Sequence, residues 1–260
     1  MHHKDRAITI EARPESIQVD IGKCAVLVID MQNDFGAKGG MFNRAGIDIS
    51  PIEQAVAPTM RVLAAARSAA IPIVYLKMQH TADLANAGRP NAPHWIKHRP
   101  LAVGETTEAP DGRPSRVLVE GTWNTEILPS LAPREGNVIV PKHRYSGFFE
   151  TELDRILRDR GIEYLVVTGC TTSVCVESTI RDAMFRDYHC LVLEDCTAEP
   201  IANDQPRRNH DASLLTIQLL FGWISNSEHF IKALADSHLA GPDPEPMPVN
   251  RAAGLRQPQP

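Results

Sequence analysis

Three residues of different chemistry, Asp30, Lys142 and Cys175, each stand near the end of an apolar run, and together they could attack a carbonyl carbon. Asp30 follows residues 24–29 (CAVLVI), Lys142 follows residues 138–140 and Pro141, and Cys175 comes shortly after the run that begins at Tyr164. A thiol needs a base to take its proton and gains from a cation that favours thiolate, which an aspartate and a lysine supply. Thr172 suits an N-cap, which would set Cys175 in a first helical turn where helix dipole and Lys142 both favour thiolate. Backbone N–H groups at that loop-to-helix turn could hold an oxyanion. Taken singly, each residue also has a plain structural reading. A cysteine at an apolar helix start is more often packing, an aspartate at a strand end is often a cap, and a lysine after a strand is usually solvated.

Strands buried on both faces would have to position the three. Residues 24–29, 71–76, 138–140, 164–167 and 190–193 are apolar almost throughout instead of alternating, as expected for a covered parallel sheet. Helical patterns fall between them, over 50–70, 150–160 and 172–187. Ser50-Pro51-Ile52-Glu53 reads as a capping box with proline at the first helical position, and Pro58 as a kink or early break. Leu153, Ile156 and Leu157 share one face of the second helix, and Val176, Ile180, Ala183 and Met184 one face of the third. This alternation predicts a single α/β domain, a doubly wound (Rossmann-like) parallel sheet flanked by helices. Ligands of such sheets bind outside the carboxyl ends of the strands, where Asp30, Lys142 and Cys175 lie. The domain is expected over 21–238, after an N-terminal extension (1–20) and before a Pro-rich flexible tail (239–260). Residues 80–135 are rich in Pro, Gly and His and too long for an ordinary connection; they are expected to be an insertion that builds the active-site wall.

Composition narrows the partners. The 260-residue chain carries 27 basic and 32 acidic residues, a formal charge of -5, with no basic block to suggest nucleic acid or a membrane surface. No apolar run approaches the ~20 residues of a transmembrane helix, and no apolar leader follows the N-terminus. The five cysteines, at 24, 170, 175, 190 and 196, are odd in number and form no Cys-x-x-Cys pair. A disulfide framework and a zinc finger are therefore not expected, and a cytoplasmic location is. The apolar stretch 214–223 suggests a homo-oligomer.

Residues 28–35 (VIDMQNDF), Pro141-Lys142 and residues 170–183 (CTTSVCVESTIRDA) together resemble the isochorismatase-like cysteine hydrolases, over nearly the whole domain from Arg13 to Ala235. The resemblance implies that Asp30, Lys142 and Cys175 form a catalytic triad. It also implies a cis peptide at Cys170–Thr171 that turns the backbone N–H groups of Thr171 and Cys175 into an oxyanion hole. A narrower likeness, to ureidoacrylate amidohydrolases, rests on Arg13-Pro14-Glu15, Gly39-Gly40, residues 141–149 (PKHRYSGFF), residues 175–179 (CVEST) and Phe221-Gly222-Trp223. Those enzymes remove a terminal carbamoyl group as carbamate. The implied partner is a small-molecule ureido or amide substrate, with Phe35, Gln79, His80, Trp95, Tyr145 and Phe148 as candidate contacts; Tyr145 and Phe148 read equally well as core aromatics. The chain departs from that subfamily after Gln79, where an Asn and a Trp are expected and Ala82 stands at the Trp position. Biuret, an N-carbamoyl amino acid, nicotinamide or maleamate thus remain alternative substrates, as does a non-catalytic ligand-binding role. No cofactor and no metal are expected: His80 lacks the Asp-x-His pattern with which nicotinamidases of the family bind zinc.

Overall fold

The computed structural model describes residues 6–202 and 208–239. A hairpin of β1 (Ala7–Ile10) and β2 (Ile17–Asp20) leads into β3 (Cys24–Ile29). Two short helical turns, α1 (Asn33–Gly36) and α2 (Met41–Arg44), precede the long helix α3 (Ser50–Ser68) and strand β4 (Ile73–Met78). The stretch after β4 holds α4 (Pro93–His98) and a small antiparallel pair, β5 (Thr106–Glu108) and β6 (Pro114–Arg116). Next come β7 (Val138–Lys142), α5 (Leu153–Asp159), β8 (Tyr164–Cys170) and α6 (Glu177–Met184). The last elements are β9 (His189–Ala198), α7 (Asn209–Leu220), β10 (Trp223–Ser225) and α8 (Ser227–Leu239).

Six strands form one parallel sheet in the order β10-β9-β8-β3-β4-β7. The chain enters at β3, winds outward to β7, returns to β8 and winds outward the other way to β10. The direction reverses between β3 and β8, so the ligand crevice belongs at their carboxyl ends. Strand β3 shows why the sheet is apolar on both sides. Cys24, Val26 and Val28 enter one core with Ile52, Val62 and the hairpin residues Ile8 and Ile10. Ala25, Leu27 and Ile29 enter a second core with Leu153, Leu157, Ile180 and Ile217. Among the described residues no helix is long and apolar enough to cross a membrane.

Local structure departs from the sequence pattern in several places. β4 starts two residues later than its apolar run because Ala70 turns left-handed (φ 56) and the Ile71 N–H closes the end of α3 on Ala66 O at 2.8 Å. Ser50 does not cap α3. It is already helical, and Asp48 accepts from its N–H and Oγ at 2.9 and 2.8 Å. Pro58 neither ends nor breaks the helix, which continues ten residues beyond it to Ser68 with Pro58 buried against the core. α5 begins at Leu153 instead of 150, since Glu150 adopts φ 52 and the Thr151 hydroxyl accepts from Leu153 N. Within the expected N-terminal extension, residues 6–20 are part of the fold: Ile8, Ile10, Ile17 and Val19 are core residues, and Arg13 exchanges backbone hydrogen bonds with Ile224 of the edge strand β10. The tail expected over 239–260 lies, from residue 240, outside the described residues.

Candidate active site

Asp30 directly follows β3 with φ 52, a left-handed turn that aspartate tolerates better than most residues. Backbone bonds hold the turn: Asp30 N donates to Leu76 O (3.0 Å), and Asp30 O accepts from Gln32 N (2.8 Å) and the Cys170 thiol (3.2 Å). The carboxylate accepts from Met78 N at 3.1 Å through Oδ1, and the Lys142 ammonium lies 2.7 Å from Oδ2. Lys142 is the last residue of edge strand β7, two strands away from β3. Its side chain therefore crosses the end of β4, passing Met78 Sδ at 3.8 Å and donating to Arg144 O at 3.1 Å. Pro141 is tolerated beside it because an edge strand has one side without a ladder partner.

Cys175 reaches the same point from β8. Gly169 has φ 121, and a Cβ there would stand 2.1 Å from Ile29 O, so only glycine lets β8 press this closely on β3. The Cys170–Thr171 peptide is cis, and Thr172–Val176 winds as a π-helical turn before α6, with Val176 N donating to Thr171 O at 3.2 Å. Thr172 is not an N-cap; it is the first residue inside the turn, and its hydroxyl shares a hydrogen bond with His210 Nδ1 at 2.9 Å. Ser173 donates to Glu199 from both N (2.8 Å) and Oγ (2.5 Å). Thr179 Oγ1 donates to Cys175 O (2.7 Å) and accepts from Gly147 N (3.0 Å), tying the turn to the loop after β7.

The three expected residues thus meet in one buried cluster. The Asp30 and Lys142 side chains are 1% and 0% exposed, and the Cys175 thiol lies within hydrogen-bonding reach of both. Burial raises the Asp30 carboxyl above its usual range even though the Lys142 charge pulls the other way. For Lys142, burial works against the charge, but Asp30 and Cys175 together outweigh it and hold the ammonium above its ordinary value. The thiolate expectation fails for the resting site. Burial pushes the Cys175 thiol well above its ordinary value, and the opposing pull of Lys142 does not cancel this, with Asp30 adding to the rise. Cys175 rests as a thiol beside a carboxylate whose basicity has been raised.

A cavity of about 180 Å³ opens over Cys175. Phe35, Tyr145 and Thr171, all expected at the site, line it together with Phe42, Met78, Lys97, His98 and Leu101. The other proposed contacts lie elsewhere. Phe148 packs in the second core beside Tyr188 (centroids 5.8 Å apart), with Arg186 over its ring, because the loop after β7 turns it under the sheet. Trp95 lines a separate surface depression with Arg89, Pro90 and Arg144 and is not among the residues lining the cavity over Cys175. Gln79 is half-buried and donates from its backbone to Lys142 O at 2.9 Å, while His80 joins a buried cluster with His94 and His98. Burial lowers His80 to about 4 and His94 to about 3, so these imidazoles are neutral. Among the described residues no group of three His, Cys, Asp or Glu side chains is arranged to hold a metal ion.

Sequence reasoning missed the clamp that fastens the wall. Gln32, Asn33 and Asp34 follow the wholly apolar β3, yet all are buried. Gln32 Nε2 donates to Met78 O (2.9 Å) and Thr125 O (3.1 Å), and Asn33 Nδ2 donates to Trp123 O (2.8 Å). Asp34 accepts from Met41 N (2.9 Å), Leu118 N (2.7 Å) and the Asn124 side chain. Its burial raises it to about 6. The signal was present: three consecutive polar residues able to bond backbone, with two residues between them and the end of a buried strand.

A thiol, a carboxylate and a lysine thus meet at the switch point of this sheet. The isochorismatase domain model matches residues 24–229, and the chain belongs to that family. It is 39% identical over 228 residues to the ureidoacrylate amidohydrolase RutB of Klebsiella pneumoniae (strain 342), covering 88% of this chain and 94% of that protein. Among solved structures it is similar to a cysteine hydrolase from Pseudomonas syringae pv. phaseolicola 1448A, with TM-score 0.70, 27% identity and coverage of 84% and 95% of the two chains. It is also similar to N-carbamoylsarcosine amidase from Thermoplasma acidophilum, with TM-score 0.57, 26% identity and coverage of 79% and 97%.

Proposed function

We propose that this chain is a cysteine-dependent amidohydrolase that cleaves the C–N bond of a small ureido acid of the ureidoacrylate type. The observation that carries the reading is the buried convergence of Asp30, Lys142 and Cys175 beneath a small cavity. Asp30 takes the thiol proton as sulfur attacks the carbamoyl carbon, so thiolate forms only when a carbonyl is there to receive it. Lys142 stays charged and holds the carboxylate in place. The backbone N–H groups of Thr171 and Cys175 steady the oxyanion. Asp30 then returns its proton to the leaving nitrogen, and water releases carbamate from the S-carbamoyl cysteine, a thioester-type intermediate. No cofactor enters this scheme. The 39% identity to a ureidoacrylate amidohydrolase supports the substrate class. The likeness to N-carbamoylsarcosine amidase supports a second reading within the same chemistry, an N-carbamoyl amino acid.

The same reading makes the enzyme a cytoplasmic homo-oligomer. Its five cysteines are all free and buried, as suits a reducing compartment. Phe185, Leu215, Leu219 and Leu220 present exposed apolar surface near the α6 and α7 ends, as an oligomer contact would. The test is ammonia release from ureidoacrylate and N-carbamoyl amino acids. Cys175→Ser is expected to lower it by about a thousandfold or more while thermal unfolding stays near wild type; substantial remaining turnover would refute the mechanism.

A further inference from the structure

We propose that Lys97 is the residue that selects the substrate's charge, pairing its ammonium with the carboxylate of a short ureido acid whose carbamoyl end lies at Cys175. This rests on the function proposed above and names what the pocket selects within it. At about 180 Å³ the cavity is smaller than the roughly 300–1,000 Å³ of sites for drug-sized ligands, so it suits a short linear molecule. Its lining is chiefly apolar, with Phe35, Phe42, Met78 and Leu101 giving contact area but no charge. Among the described residues Lys97 is the single cation of that lining, and no carboxylate shares it. The charged groups below, Asp30 and Lys142, neutralise each other at 2.7 Å.

Lys97 is also left over by the rest of the molecule. The exposed lysines Lys23 and Lys232 find Glu163 and Asp236, at 2.9 and 2.5 Å, whereas Lys97, like Lys38 and Lys77 away from the cavity lining, makes no ion pair among the described residues. It lies in the last turn of α4 and lines the cavity beside the buried His98, while its own side chain is exposed. Its charge therefore stands at the outer end of a pocket whose inner end is Cys175. A carboxylate bound there is partly withdrawn from water against Leu101 and Phe42, where an ion pair counts for more than on open surface. Uncharged ureides such as biuret offer Lys97 nothing.

The experiment is calorimetric binding to the full chain carrying Cys175→Ala, which separates recognition from turnover. The ligands are 3-ureidoacrylate and its methyl ester, of nearly the same shape without the charge. The acid is expected to bind about tenfold or more tightly than the ester, an advantage that shrinks as salt rises. Adding Lys97→Met should remove that advantage and change ester affinity by less than about twofold, and Lys97→Arg should restore much of it. Lys97→Gln provides a second neutral variant should Lys97→Met fold poorly. If acid and ester bind alike, or if the neutral variants weaken both equally, the role of Lys97 is refuted while the proposed function stands. If Cys175→Ala binds neither ligand, the proposed substrate class fails and the Lys97 assignment with it.

Discussion

The floor and the wall of the candidate site are built by different means. The floor is made of side chains at strand ends, each placed by the sheet ladder and buried almost completely: Asp30 after β3, Lys142 at the end of β7 and Cys175 after β8. The wall joins Phe35, Phe42 and Tyr145 to Lys97, His98 and Leu101 from residues 80–135, a stretch where regular elements are short and side chain-to-backbone bonds from Gln32, Asn33 and Asp34 hold the chain. A ladder places a group by many cooperative bonds, while the wall hangs on a few that can be lost one at a time. On the function proposed above, chemistry is held at strand ends tied into the sheet ladder, and selection by a part whose lining can change without disturbing them.

Substitutions should separate the two. The largest effect belongs to the floor. Asp30→Asn removes the base and strips Lys142 of its counter-ion, so kcat/KM should fall by roughly 10²–10⁴-fold and stability by about 3–5 kcal/mol, read by turnover and denaturant unfolding. A pH profile sharpens the assignment. Because Asp30 is raised in the fold, its basic form is lost as pH falls through a value above the ordinary carboxylate range. The acid limb of kcat/KM should have its midpoint there, and a midpoint at the ordinary value would count against Asp30 as the base. Asp34→Ala belongs to the wall. It leaves the Met41 and Leu118 N–H groups without their acceptor, and is expected to cost about 2–4 kcal/mol and to raise KM more than it lowers kcat. A fall in kcat alone would mean that floor and wall are not separable. Trp95→Ala should do least, with KM within about twofold and stability within about 1 kcal/mol of wild type, since it lines a separate depression and not the cavity.

The floor was legible in the sequence because an apolar run that ends in Asp30 or Pro141-Lys142 announces both a strand and what its end presents. Parallel strands covered on both faces leave little choice of direction, so convergence at the carboxyl ends follows from the fold class. What the sequence did not show was the balance of burial against charge at Cys175: a lysine nearby argues for thiolate until the cost of burying the anion is weighed. The wall was less legible, for a physical reason. Phe148 and Tyr145 stand three residues apart in a turn, and no periodicity tells which ring enters the core and which the cavity. Ser50 misled in the same way, since Asp48, two residues earlier, was an equally good cap. Lys97 carried no signal at all until α4 set it beside the pocket.

The protonated state of Cys175 matters between turnovers as well as during them. Peroxide and other oxidants attack thiolates, and exposed ones first, whereas this sulfur rests as a thiol only 7% exposed. If Cys175 is the nucleophile proposed above, it is armed only by its own substrate, and between turnovers burial and its raised thiol make it a poorer target for oxidants than an exposed thiolate.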